Sequence, residues 1–374
     1  MTDNENLESF DLAGVIVGET AISDVDGAAG RLSYRGVDIV DLAERPFAEV
    51  VWLVLFGETP DAARQAQLNR FLCQHARLTL EERQVLKLLP QHLHPMLMLQ
   101  GMVPLIELPE AETLGVGLDA EHGLVIAAKI SALIAAWYRR EQGLSPLGGG
   151  PDDNFHQHFL TLLHGQVPDA DAVRILDATQ ILQMEHSFNA GTFAGRVCAS
   201  TLAPIQSVIS ASIGTLYGRL HGGADQAALE MAQSIGAPEK AAAYVAQCLA
   251  EKTKIMGMGH REYRTVDPRA KLLKPMAMNL CNDPDSRRLL DTLIAVEQAC
   301  QQEFATRGKE IWANVEFYKG AVFHNLGLPT HFFTAMFAMA RVYGYIAHYL
   351  EFSRESRLIR PRARYVPARE PAMA

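Results

Sequence analysis

Several features that would mark a chain early are scarce or missing here. Cysteine is scarce: five residues (Cys73, Cys198, Cys248, Cys281 and Cys300) in 374, odd in number, scattered, and without a CxxC pair. That pattern argues against a disulfide framework or a zinc site and fits a reducing cytoplasm. Positive charge is not in excess; the net charge of -9 gives no global pull toward nucleic acid. No apolar run is long: the best, 125–137, is interrupted by Lys129 and falls short of a bilayer span, so it predicts a buried helix and no membrane. The opening MTDNENLESF lacks the basic start and apolar run of a signal peptide, which predicts no export. Internal repeats and low-complexity tracts are absent. The glycine triplet in LSPLGGGPDDN (144–154) has no lysine-serine pair after it, so it reads as a surface loop rather than a phosphate loop.

What is present is mostly helix. Between Gly14 and Tyr34, Val15, Ile16, Val17, Ile22 and Val25 alternate with turn formers, including Asp26-Gly27, and predict a small N-terminal β-hairpin. Apolar residues then recur at helical spacing over 47–56, 61–76, 80–90, 120–139, 155–165, 169–188, 205–220, 268–281 and 285–307. Thr79 and Glu82 form a capping box before the third of these. The segment 330–352 is apolar nearly all round, as a central helix is, yet carries Arg341. An arginine keeps its charge, so Arg341 needs a carboxylate partner, from the protein or from a ligand.

Chemistry-bearing residues concentrate in a few places. KIMGMGHREYRTVDPR (254–269) combines Lys254, His260, Arg261, Arg264 and Arg269 with Gly257 and Gly259, which permit backbone conformations closed to other residues and close approach to a ligand. Asp267-Pro268 reads as an N-cap followed by proline at the first helical position, which puts Arg269 in a first turn, where its natural partner is an anion. A basic surface loop capped into a helix accounts for the same spacing. His221 precedes two glycines and a new helix, a place that favours a neutral ring able to donate a hydrogen bond; a histidine merely ending a helix fits too. Glu316 follows the capping Asn314, where the helix dipole alone would stabilise it. Glu185, His186, Asn189 and Thr192 crowd the end of an apolar helix, and the tail after Ser353 is basic, Arg360 included. Taken together, His221, His260 and Glu316 as acid/base groups, with Arg269, Arg341 and Arg360 as carboxylate clamps, suit carbon-carbon bond formation to a small polyanion.

Long motifs carry a resemblance: GETAIS, LSYRGVDIVDLA, HPM (94–96), RVCAST (196–201), LHGGADQAALEM, KIMGMGHREYRTVDPRA, NVEFYKGAVFHNLGLP, FAMARVYGYIAHYLE and RPRARY, in order along most of the chain. The sequence resembles the citrate synthase family in its short bacterial and archaeal form, which includes 2-methylcitrate synthases. The resemblance implies an all-α, two-domain helical fold: a large domain from 1–216 and 325–374, ending in a C-terminal arm, and a small domain from 217–324. It implies a homodimer that condenses a short acyl-CoA (acetyl-CoA or propionyl-CoA) with a 2-oxo acid such as oxaloacetate, releasing CoA, with no metal and no cofactor beyond the CoA thioester as substrate. By motif, His221 would polarise the thioester carbonyl, His260 would protonate the oxo group, and Glu316 would take the acyl α-proton. His186, Asn189, Arg269 and Arg341 would hold the oxo acid, with Arg360 supplied to the neighbouring subunit's site. Lys254, Met256, Gly257, Gly259 and Arg264 would receive CoA.

The departures cluster around this site. Glu316 stands where the family has aspartate, and Lys319, three positions on, can reach it on the same helix face in an ion pair that favours the carboxylate and weakens it as a base. Glu185, Ser187 and Gly191 replace aspartate, glutamate and serine, and Met258 and Glu262 also differ from the family pattern. Two other functions use the same groups: a non-catalytic homologue binding CoA or a polycarboxylate, and a lyase cleaving a citryl-type thioester.

Overall fold

A computed structural model of the chain describes residues 11–366 apart from Ala13, 149–153, Arg261 and 355–356. The first ten residues, Arg261 and the centre of the 144–154 loop therefore lie outside the described residues. Strands β1 (Ser23–Asp26), β2 (Arg31–Tyr34) and β3 (Val37–Asp38) form an antiparallel sheet in that order, with Ser23 opposite Tyr34 and Ser33 opposite Asp38. The hairpin is shorter at its start than the sequence pattern predicts. Val15, Ile16 and Val17 find no partner strand and lie outside the sheet, Ile16 fully in solvent.

The rest is helical. The first half holds α1 (Ile39–Leu42), α2 (Phe47–Phe56), α3 (Ala62–His75), α4 (Leu80–Leu88), α5 (Pro95–Met102), α6 (Leu118–Glu141), α7 (Phe155–His164) and α8 (Ala170–Gln183). The second half holds α9 (Ala190–Ala199), α10 (Ile205–Leu216), α11 (Ala224–Ile235), α12 (Ala241–Ala250), α13 (Pro268–Leu280), α14 (Pro284–Ala305), α15 (Val315–Asn325) and α16 (Phe333–Ser353). The predicted capping box is formed: Glu82 N–H donates to Thr79 Oγ1 and Thr79 N–H to Glu82 Oε2. Glu82 also pairs with Lys129 at 2.7 Å, which explains how a lysine sits inside apolar α6. By length and composition α6 could cross a membrane, but 94% of that window is buried within the fold, as the sequence pattern predicts.

Helices α6 and α16 form the centre. Gly123 lets them close up, since a Cβ there would stand 2.6 Å from Ile346. Two helices stop short of their predicted ends, and both truncations make the site. α8 ends at Gln183 rather than 188 because the chain turns through Ser187, at φ 50°, to meet the sheet. α10 ends at Leu216 rather than 220, where Gly222 presses against the Leu216 carbonyl and Thr334.

Candidate active site

The segment 184–189 is held from beneath by the sheet. Tyr34 Oη donates toward the carbonyls of Ile181 and Glu185, Ser23 Oγ donates to Glu185 Oε1 at 3.0 Å, and the Ser187 N–H returns to Ser23 Oγ. Glu185 is fully buried. Burial alone would raise its pKa, but His348, 3.0 Å from Oε1, and Arg341 outweigh that and hold it below the usual range. A side chain at Gly191 would strike the Tyr345 hydroxyl, 2.5 Å from an ideal Cβ, so glycine there makes room for the tyrosine. Asn189 caps α9 through Thr192 N–H, and its amide donates to Ser187 O and Thr192 Oγ1. Its oxygen lies 3.3 Å from His221 Nε2, which makes it a neighbour of the histidine as well as a cap.

The glycine-rich stretch 254–260 is clipped to the start of α15. Asn314 N–H donates to Gly257 O, Asn314 Nδ2 to Gly259 O, and Gly259 N–H to Trp312 O. Gly257, at φ 77°, lies 2.6 Å from Phe317 Cδ2 when a Cβ is placed on it, so its close approach is to Phe317 of α15. His260 Nδ1 accepts the N–H groups of Glu262 and Tyr263, and its Nε2 lies 3.4 Å from Arg269 Nη2. Burial and the neighbouring Arg269 push this imidazole down to about 4, so it is neutral at pH 7. The loop beyond it rests on the hairpin tip, where Arg264 N–H donates to Gly27 O.

Arg269 lies in the first turn of α13 as predicted, but its anion is the protein's own. Asp267 receives Arg269 Nε at 3.0 Å and Nη2 at 2.8 Å, and also the N–H of Val315. The N-cap Asp267 thus ties α13, α15 and the arginine into one unit. Arg341 is the contrast. Its side chain is buried, its Nε donates to Gln183 O at 2.7 Å, and its guanidinium lies over Phe337. Among the described residues no carboxylate lies within ion-pair distance of it.

His186, His221, His260, Arg269, Glu316 and Arg341 share one buried neighbourhood. The rings of His186 and His260 are 5.5 Å apart, and the field of Glu316 reaches both His221 and His260. Burial and then Arg269, Arg341 and His260 hold His186 well below its ordinary value. Burial and Arg341 bring His221 to about 4. His221 Nε2 lies 3.3 Å from both the Gly191 N–H, a donor, and Asn189 Oδ1, an acceptor. Glu316 forms the predicted ion pair: Lys319 Nζ lies 2.6 Å from Oε2.

Lys254 and Arg264 lie exposed at the rim, Met256 is half-buried, and Gly257 is buried beneath. Arg360 stands exposed, its Nη1 donating to Pro361 O, and reaches none of these groups within its own chain. The sequence reading missed Tyr263, whose hydroxyl is 3.1 Å from His186 Nε2 and whose ring packs on His260; its place inside the basic motif was the available signal. It also missed Asp225, considered below. A separate cleft of about 890 Å³, lined by residues such as Arg45, Asn69, Arg174 and Asn279, contains none of the site side chains. No group of three potential metal ligands occurs among the described residues.

Comparison with known proteins shows what the chain is similar to. Residues 11–362 match the family sequence model described as citrate synthase, C-terminal domain. The chain is 39% identical to a citrate synthase of Acidithiobacillus ferridurans, covering 94% of this chain and 93% of that protein. It is 36% identical to a 2-methylcitrate synthase of Shewanella oneidensis, covering 98% and 96%. Among solved structures it is similar to citrate synthase of Thermoplasma acidophilum in ternary complex with carboxymethyl coenzyme A and oxaloacetate (TM-score 0.88, 27% identity, 96% of each chain).

Proposed function

The chain belongs to the citrate synthase family, and from that premise we propose that it condenses a short acyl-CoA, acetyl-CoA or propionyl-CoA, with a 2-oxo acid such as oxaloacetate and releases CoA. The observation that carries this reading is Arg341, a buried cation without a carboxylate partner among the described residues, beside three neutral histidines and a carboxylate. A buried unpaired charge costs several kcal/mol, a cost that a bound carboxylate removes.

In this reading Glu316 takes a proton from the acyl α-carbon while the His221 ring N–H donates to the thioester carbonyl oxygen, where negative charge develops. The α-carbon attacks the oxo carbon, and His260 supplies the proton to the oxo oxygen. His186, Arg269 and Arg341 bind the carboxylates, with Asn189 behind His221. Water then cleaves the thioester, giving the tricarboxylate and free CoA. CoA lies along Lys254, Met256, Gly257, Gly259 and Arg264.

The division into a large domain (1–216 and 325–374) and a small one (217–324) belongs to the same proposal. It puts His186 and Arg341 on one side and His221, His260, Arg269 and Glu316 on the other, so closure would assemble the site and exclude water. The proposal includes a cytoplasmic homodimer in which Arg360 reaches the neighbouring subunit's oxo acid. A thiol-release assay over several acyl-CoAs and 2-oxo acids tests it. Release that requires both substrates and falls to background in His260→Ala is expected; no release above that variant anywhere in the panel would leave a CoA or polycarboxylate binder.

A further inference from the structure

Helices α11 and α15 cross at Gly320, where an added Cβ would stand 3.1 Å from Asp225 O and 3.2 Å from Leu229 Cβ. That close crossing sets the residue before it, Lys319, against Asp225 in the first turn of α11. Both side chains are wholly buried, with Lys319 Nζ 3.0 Å from Asp225 Oδ2 on one side and 2.6 Å from Glu316 Oε2 on the other. The ammonium also lies 4.2 Å from the centroid of the Phe337 ring, and Asp225 Oδ1 accepts the Gln226 N–H. One cation thus serves two carboxylates. A fold needing only to bury a lysine would close it with one partner.

We propose that Lys319 and Asp225 are positioning residues: Asp225 anchors the lysine, and the lysine fixes the carboxylate of Glu316, turning a longer and more flexible side chain into a base held in one place. The inference rests on the assignment of Glu316 as the base. Freezing the added rotatable bond matters because a displacement near 1 Å can cost about a hundredfold in rate. Lys319 acts through Glu316 and touches no substrate.

Among the described residues, titratable and charged groups act on Glu316 from several elements. Lys319 comes from its own helix, Asp225 from α11, His221 from the turn before α11, His260 from the glycine-rich loop, Arg269 from α13 and Arg341 from α16. Burial would raise the Glu316 pKa, and Lys319, then Arg269 and Arg341, bring it below the usual range. Burial and Glu316 instead raise that of Asp225. Removing the lysine therefore makes Glu316 a stronger base that is protonated at higher pH.

Lys319→Met alone leaves two buried carboxylates facing each other and can fail to fold, so the test uses Asp225→Asn/Lys319→Met, which removes the pair together. In protein labelled with 13C at glutamate carboxyls, the signal lost in Glu316→Gln identifies Glu316. Its titration midpoint is expected to rise by about one unit or more in the double variant, because the lost cation is nearer than the lost carboxylate. In the active enzyme the acid limb of kcat/KM moves up in pH by the same sense, and kcat falls about tenfold to a hundredfold. An unchanged midpoint overturns the proposal, and so does an unchanged acid limb. The carboxyl titration needs no turnover, so failure of the condensation reading, seen as no thiol release by the parent protein, stays distinct from failure of the positioning role.

Discussion

Two lysines lie in buried helical stretches of this molecule, and they are handled differently. Lys129 in α6 has one carboxylate, Glu82, which also completes the capping box of α4. Lys319 in α15 has two, Asp225 and Glu316, and one of them borders the cluster of histidines and arginines. The first arrangement is closed and joins two helices. The second sets one lysine between two buried carboxylates, one of which also feels Arg269 and Arg341, an arrangement that persists where a carboxylate is needed for chemistry. A buried lysine is therefore read by how many anions it serves and by what else those anions face.

The comparison can be broken most severely at Glu316. Glu316→Gln should lower condensation roughly a thousandfold, within the range for losing a general base, while thermal stability holds because Lys319 keeps Asp225 as its partner. Steady-state rates beside a melting curve check both halves. Lys129→Met should do the opposite: about 3 kcal/mol lost in denaturant unfolding, since Glu82 is left buried and unpaired, with kcat of the folded fraction unchanged. Glu316→Asp should cost about a hundredfold in kcat, as the shortened carboxylate withdraws from Lys319 by roughly 1 Å. In the Asp225→Asn/Lys319→Met background the same exchange should cost less, and equal costs in both backgrounds would remove the functional half of the comparison.

A further effect is on pH stability. His221 and His260 have folded-state values near 4, below the ordinary 6.5. Between those values the unfolded chain binds more protons than the folded one, so stability is full above pH 6.5 and declines as pH falls toward 4. Melting temperatures taken across that window should fall with pH. His260→Gln should flatten the decline, whereas Glu82→Gln/Lys129→Met should leave its slope as it is.

Much of the fold was legible because its signals are local. The capping box at Thr79, the Asp267-Pro268 start of α13 and the apolar period of α6 are each read within a few residues, and each is present. The ends of α8 and α10 were not, because the stops come from contacts distant in sequence: Tyr34 and Ser23 on the 184–187 turn, and Thr334 against Gly222. The site divides the same way. The Glu316–Lys319 pair follows from three-residue spacing on a helix. Asp225 joins it only through the crossing of α11 and α15, which no local pattern announces. Arg269 was legible as a first-turn cation seeking an anion, but the chain supplies that anion two residues upstream in Asp267. Arg341 keeps the need its sequence context implies.

The most direct measurement of the central claim follows the carbon-carbon bond itself. Acetyl-CoA labelled with 13C at the methyl carbon is incubated with oxaloacetate and the protein, and the label is followed by NMR. The account predicts that the methyl signal becomes a methylene attached to a quaternary carbon as free thiol appears in equal amount. Label recovered as acetate, or remaining in acetyl-CoA while oxaloacetate is untouched, would contradict it.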